Sequence, residues 1–187
     1  MHVCHHRRKS IVWSFMIEEN IWGFKIGCLL DGMSFKECIR NLKKYGGVMV
    51  DLKICDTPSI VEKRVKMCKG ADIITIMTIG GRNSLELGVR TAKEIGAEIA
   101  AVLIPGSLSR QECYCFFRRH PQDQAVLLAK LAEECGCSFV VVQMHQLKLI
   151  KNSTRQIKII VSETQKTNDD AEADFLIVDK ISRKDNA

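Results

Sequence analysis

No apolar run in these 187 residues approaches the roughly 18 that a membrane-spanning helix requires, so the chain is expected to fold in water. Its nine cysteines include no C-x-x-C pair. The C-x-C pairs Cys113/Cys115 and Cys135/Cys137 lack zinc-site spacing, and an odd cysteine count with no signal peptide argues against a disulfide framework. Free thiols in a reducing cytoplasm are the expectation. Helix-turn-helix, RNP-like and zinc-finger spacings are also missing, so the net charge of +6 does not select nucleic acid. Part of that charge lies at the two ends, in Arg7, Arg8, Lys9, Lys180, Arg183 and Lys184, and a positive field suits a phosphorylated metabolite equally well. His2, His5 and His6 beside Cys4 could touch a metal weakly, but a frayed terminus is the simpler reading.

What is present is the composition of an ordinary globule, 46% hydrophobic and 27% charged, with the length of a single domain. Short runs rich in Val and Ile alternate with stretches of helical spacing, as in a parallel sheet with crossover helices. The runs are Ser10–Ile17, Ile21–Cys28, Val48–Ile54, Ile73–Met77, Glu98–Ile104, Ser138–Gln143, Ile157–Ser162 and Phe175–Val178. Helices are expected over Ser34–Tyr45, with Ser34 and Glu37 as a capping box, and over Ser59–Lys69, Asn83–Ile95 and Gln122–Cys135, the last two closed by Gly96 and Gly136. Three crossovers are deficient. Only Glu18, Glu19 and Asn20 separate the first two runs, Glu163 to Asp174 has little apolar face, and nine residues follow Val178. A (β/α)8 barrel typically takes about 250 residues and seldom fewer than about 200, so a barrel here has trimmed or incomplete outer helices. The expected organisation is a basic tail over 1–9, one barrel domain over 10–182 and a short tail over 183–187.

The chemistry concentrates in Asp51-Leu52-Lys53-Ile54-Cys55-Asp56-Thr57-Pro58. Strand alternation puts Asp51 and Lys53 on one face, which in a barrel is the interior at the end where active sites assemble. Two charges on a strand otherwise made of Val48, Met49, Val50, Leu52 and Ile54 are costly to bury unless they pair or work. An ion pair that merely closes a barrel end is the bland alternative. Against it stands Asp56 at the strand exit, which with Lys25 on the preceding strand extends the pair to an alternating array of four charges. Such an array holds ionised groups in place and can tune a lysine for proton transfer.

The pattern D-x-K-x-x-D-x-P, preceded by Lys25-Ile26-Gly27 and followed by Gly70-Ala71-Asp72-Ile73-Ile74-Thr75-Ile76 and Gly80-Gly81, resembles the orotidine 5′-phosphate decarboxylase family. The resemblance runs from about Gly23 to Leu103, and Ala173-Asp174-Phe175-Leu176-Ile177-Val178 looks like the family's last strand. It implies a (β/α)8 TIM barrel of the ribulose-phosphate-binding type and decarboxylation of orotidine 5′-phosphate to uridine 5′-phosphate, with no cofactor and no metal. By the same resemblance Lys53 would protonate C6 of the pyrimidine, Asp51 would stand near the departing carboxylate, and Lys25 would hold the ribose side. Asp56 would reach the site of a neighbouring subunit, which implies a homodimer. Ser107 or Ser109, in the place of the family's substrate-covering loop, could contact the base, while Gln165 and Lys180 would serve the phosphate.

Several positions depart from the family. The first strand has no aspartate, Met77 stands for a histidine, and Ile60 for a threonine. Asp179-Lys180 replaces a Gly-Arg pair, so a carboxylate sits beside the expected phosphate and a point charge replaces a two-pronged contact. Two alternatives therefore stay open. One is a weakened or inactive barrel acting as a binding protein; the other is a magnesium-dependent sugar-phosphate lyase of the hexulose phosphate synthase type, with Asp51 and a carboxylate such as Glu163 on the metal. Arg118-Arg119-His120-Pro121 reads as a turn or as a basic patch near the ligand.

Overall fold

Residues 22–27, 35–105, 107–162 and 173–177 are described by the structure, a computed structural model. Seven of the expected strands fall among them; the first candidate, Ser10–Ile17, lies outside the described residues, as do the tails. The strands are β1 (Gly23–Ile26), β2 (Gly47–Ile54), β3 (Ile73–Met77), β4 (Glu98–Val102), β5 (Phe139–Val142), β6 (Lys158–Ser162) and β7 (Phe175–Ile177). They lie side by side in chain order and every pair is parallel. Parallel neighbours demand crossovers. These are supplied by α1 (Phe35–Leu42), α2 (Pro58–Met67), α3 (Arg82–Glu94), α4 (Arg110–Phe117), α5 (Pro121–Glu134) and α6 (Leu147–Ser153).

Alternation along each strand divides the apolar residues into two clusters. Outward positions such as Val48, Val50, Ile74, Ile76, Ile99, Val140 and Val161 pack against Ile39 and Leu42 of α1, Val61 and Val65 of α2, Leu85 of α3 and Ala129 of α5. Inward positions Met49, Ile73, Ala100, Phe139 and Ile160 form a separate cluster on which Phe175 packs. An inner cluster fed by consecutive strands is what a sheet curling on itself produces. The curl brings the two edges together: the Trp22 ring, just ahead of β1, lies edge-on to Phe175 of β7 at 5.5 Å, and Phe175 meets Phe139 at 5.7 Å. The result is an α/β fold with a nearly closed parallel barrel.

Polar side chains fasten the lower rim. Asp72, ahead of β3, accepts the Val48 N–H at 2.8 Å and pairs with Lys43; Asp174, ahead of β7, accepts the Ile159 N–H at 2.8 Å. Glu133 near the end of α5 accepts the backbone N–H groups of Arg155, Gln156 and Ile157 where the chain enters β6. Burial works against that carboxylate, but the three N–H donors outweigh it and hold its pKa below the ordinary glutamate value.

The helices expected from periodicity are found with ends shifted by one to three residues, except that Ser34 lies outside the described residues. Gly96 and Gly136 adopt φ of 76° and 78°, the left-handed conformation that ends α3 and α5. Two helices were not legible. In α4 only Cys113 is buried while Tyr114 and Phe116 face outward, so no apolar stripe marks it; its start is fixed locally by the Ser109–Glu112 capping box. The seven-residue α6 buries just Leu147 and Ile150. None of the seven described cysteines is disulfide-bonded. Burial pushes the Cys68 and Cys137 thiols up to about 12, which keeps them inert. Among the described residues no helix is long and apolar enough to cross a membrane.

The seating of β1 on β2 depends on two glycines. A Cβ on Gly23 would stand 2.0 Å from the Gly47 carbonyl oxygen, and one on Gly47 would stand 2.6 Å from the Trp22 ring. The Gly23 obstacle is backbone and cannot swing away. Gly23→Ala is therefore expected to lower stability by more than about 2 kcal/mol, well above the effect of an ordinary surface substitution. Urea denaturation decides it, and an unchanged midpoint would mean that β1 does not lie against β2 in this register.

Candidate active site

Three strands build the upper layer of the barrel interior. One inward step above the apolar cluster, β2 presents Asp51 and β3 presents Thr75, while Lys25 of β1, paired in register with Met49, extends its ammonium to Asp51. This is the C-terminal end of a parallel barrel, where ligand sites form. The Asp51 carboxylate is at the centre of the layer: Oδ2 accepts from Lys25 Nζ at 2.9 Å and from Lys53 Nζ at 2.7 Å, while Oδ1 accepts from Thr75 Oγ1 at 3.0 Å. Its side chain is 8% exposed, against 24% for Lys25 and 49% for Lys53. An unpaired carboxylate so placed would cost several kcal/mol, so the two ammonium groups and the hydroxyl are what allow it to stay ionised. Burial raises its pKa, but the Lys53 hydrogen bond and the charge and hydrogen bond of Lys25 together pull it below its ordinary value of 3.8.

Lys53 does not follow Asp51 in simple alternation. Opposite β3, Val50 pairs with Ile74 and Ile54 with Ile76, so four steps of β2 span two steps of β3. The slack is taken up in a bulge whose Lys53 has φ of 47°, a conformation that costs a non-glycine residue about 1–3 kcal/mol unless its surroundings hold it. What holds it is Thr75, whose hydroxyl oxygen accepts the Lys53 N–H at 2.8 Å while its O–H points to Asp51. The bulge re-aims the lysine so that its ammonium lies on the carboxylate and half its surface faces the barrel mouth.

Asp56 is placed differently. It is exposed, and its Oδ1 accepts from the Thr57 N–H at 2.7 Å and the Thr57 hydroxyl at 3.4 Å; its backbone carbonyl accepts from Ser84 Oγ at 2.9 Å, tying the loop to α3. Among the described residues no hydrogen bond or ion pair joins it to Lys53, so the expected array of four charges is an array of three within the chain. Ser107 is exposed on the turn after β4. The Ser109 hydroxyl is engaged by Glu112, at 2.6 Å from Oε2 and 3.2 Å from the backbone N–H. Gln165, Lys180 and Glu163 lie outside the described residues. Thr75 is a site residue that pattern reading passed over. Its signal was a lone hydroxyl in the fully buried strand Ile73–Met77, in phase with the inward positions.

A parallel barrel whose mouth holds a lysine–carboxylate–lysine centre defines a class of α/β-barrel proteins. The chain belongs to the Orotidine 5′-phosphate decarboxylase / HUMPS family, whose sequence profile matches residues 17–180. An orotidine 5′-phosphate decarboxylase of Dictyoglomus thermophilum is 24% identical over 170 residues, covering 83% of this chain and 68% of that protein. One from Legionella pneumophila is 30% identical over 146 residues, covering 75% and 62%. The chain thus spans about two thirds or less of the length of these relatives. Among solved structures, an uncharacterized conserved protein from Geobacillus kaustophilus superposes with a TM-score of 0.73 at 21% identity, covering 82% of this chain and 77% of that one. An orotidine 5′-phosphate decarboxylase from Lactobacillus acidophilus gives 0.64 at 21% identity, covering 74% and 67%. Both likenesses establish the TIM-like fold.

The depressed Asp51 pKa has a consequence for acid stability. A lowered folded-state value means that the array contributes fully above the ordinary aspartate pKa and loses its contribution as pH falls through the folded-state value. Asp51→Asn removes that dependence. The stability gap between the parent and Asp51→Asn should be constant near neutrality and should narrow in acid, as read by urea denaturation at stepped pH; parallel curves down to the acid limb would place the carboxylate outside the array.

Proposed function

We propose that this chain decarboxylates orotidine 5′-phosphate to uridine 5′-phosphate. The observation that carries the reading is the Lys53 ammonium, held 2.7 Å from the buried Asp51 carboxylate yet half open to the barrel mouth. Loss of carbon dioxide from C6 of the pyrimidine breaks the C6–carboxylate bond and leaves the electron pair on C6. A fixed cation there stabilises the developing carbanion, and the same ammonium delivers its proton to C6, to be recharged from water. Asp51, tied to two lysines and Thr75, keeps Lys53 aimed and stands beside the substrate carboxylate, where like charge favours its departure. Lys25 holds the ribose side. Asp56, exposed and unattached to Lys53, is available to the site of a second subunit, in keeping with a homodimer.

The magnesium-dependent sugar-phosphate reading is less well served. A divalent cation at Asp51 would meet two ammonium groups already on Oδ2 and a hydroxyl on Oδ1, a donor set that does not fit a hard cation. A second reading, a barrel that binds but turns over slowly, draws its support from Asp179-Lys180, where the sequence sets a carboxylate beside the cation expected to serve the phosphate. Remote phosphate contacts help organise the reacting centre, so their weakening would lower turnover as well as affinity.

Lys53→Ala is expected to abolish loss of the orotate absorbance from orotidine 5′-phosphate while the variant stays folded at a stability cost of about 1–3 kcal/mol, since Asp51 keeps Lys25 and Thr75 as partners. Turnover retained by this variant removes Lys53 from the reaction. Absence of turnover in the parent protein favours the binding reading.

A further inference from the structure

A second concave site lies elsewhere on the C-terminal rim, where the chain leaves β4 and β5. It is a cavity of about 350 Å³ whose polar lining is Arg110, His120, Gln122, Gln143, His145 and Gln146, walled on the β4 side by Ile104, Pro105 and Leu108. Among the described residues no carboxylate lines it. Glu112, one turn into α4, is folded back on Ser109, with Oε2 2.8 Å from the Ser109 N–H and 2.6 Å from its hydroxyl.

The hydrogen bonds made by the lining groups leave mainly donors for a ligand. Arg110 has donors only. Its Nε donates to His120 Nδ1 at 3.4 Å and its Nη2 lies 3.2 Å from the same atom, so that nitrogen acts as acceptor and the ring proton belongs on Nε2. Gln146 is 5% exposed, and its side-chain oxygen is taken by the Gln143 N–H at 3.1 Å, which leaves the amide NH₂ as the end that can serve a ligand. His145 adds a second imidazole. The first residues of α4 and α5 border the same space, and the positive ends of two helix dipoles reinforce its sign. A guanidinium fork, two imidazoles and an amide approaching from different elements match a tetrahedral dianion with three free oxygens better than a planar carboxylate with two.

We propose that this cavity is a phosphate-binding site for a small phosphomonoester. The inference rests on the proposed function only in taking the ligand to be a phosphorylated metabolite. It places an anion site on the loops after β4 and β5; the family resemblance assigns phosphate to Gln165 and Lys180, which lie outside the described residues. It also gives Arg118-Arg119-His120-Pro121 a split role: Arg118, with φ of 55°, turns the chain out of α4, whereas His120 enters the cavity.

The test uses the full chain with inorganic phosphate and ribose 5-phosphate as probes, binding being followed by isothermal titration and by the ³¹P resonance. Arg110→Gln and His145→Ala are each expected to weaken both probes about tenfold or more, the usual effect of losing one charge-assisted contact, while Arg110→Lys retains part of the affinity. Lys53→Ala should bind inorganic phosphate as the parent does. Thermal unfolding checks each variant, and if Arg110→Gln does not fold, His145→Ala decides. Unchanged binding by the folded variants, no binding of either probe to the parent at millimolar concentration, or loss of binding in Lys180→Ala with Arg110→Gln unaffected would each overturn the proposal. Failure of decarboxylation with phosphate binding intact would sink the role of Lys53 and leave this site standing.

Discussion

The buried carboxylate of Asp51 is the constraint around which the barrel mouth is arranged. It needs compensation from more than one direction, and it draws it from three consecutive strands: Lys25 of β1, Lys53 of β2 itself and Thr75 of β3. Each partner is bound by a condition of its own. Lys25 reaches Asp51 only if β1 sits close on β2, which the pair Gly23 and Gly47 permits. Lys53 reaches it only through a bulge, and the bulge persists because Thr75 accepts its N–H. The charged centre is thus bound up with the strand geometry beneath it.

That arrangement separates stability from chemistry in space. The lower interior is apolar and aromatic, and contact between Trp22 and Phe175 brings the sheet edges together there. Rim carboxylates at that end, Asp72 and Asp174, each take a backbone N–H from the neighbouring strand and fix the register. With the register fixed below, the upper layer can hold three charged groups, a positive-φ lysine and open loops. A lysine–carboxylate centre on one part of the rim and a donor-lined cavity on another give the mouth two chemically distinct regions. The first is negative at its heart and cationic towards solvent; the second sets an arginine, two histidines and three glutamines against an apolar wall.

Much of the architecture was legible because its cause is local. Runs such as Ile73–Met77 announce strands through β-branched residues, and α2, α3 and α5 declare themselves by apolar spacing and by Gly96 and Gly136 beyond the last turn of α3 and α5. The helix α4 was missed because its outward face carries Tyr114 and Phe116, which leaves its buried side too thin to show as periodicity. At the site, Asp51, Lys53 and Lys25 stood out as charges on apolar strands. Thr75 did not, because a threonine is unremarkable in a strand until its neighbours across the sheet are known.

The sequence by itself determined the class of fold, the strand that carries the chemistry and the identity of its charged residues, since each follows from patterns within a few residues of one another. Only the tertiary structure decided that Lys25 and Lys53 share one oxygen of Asp51, that Asp56 stands apart, that the Ser109 hydroxyl is consumed by a helix cap, and that Arg110, His120, His145 and Gln146 line one cavity. The reason is physical: alternation tells which side of a strand a residue faces, but bulges, hydrogen bonds between strands and the meeting of separate loops set where its polar atoms end, and those depend on contacts between residues far apart in the chain.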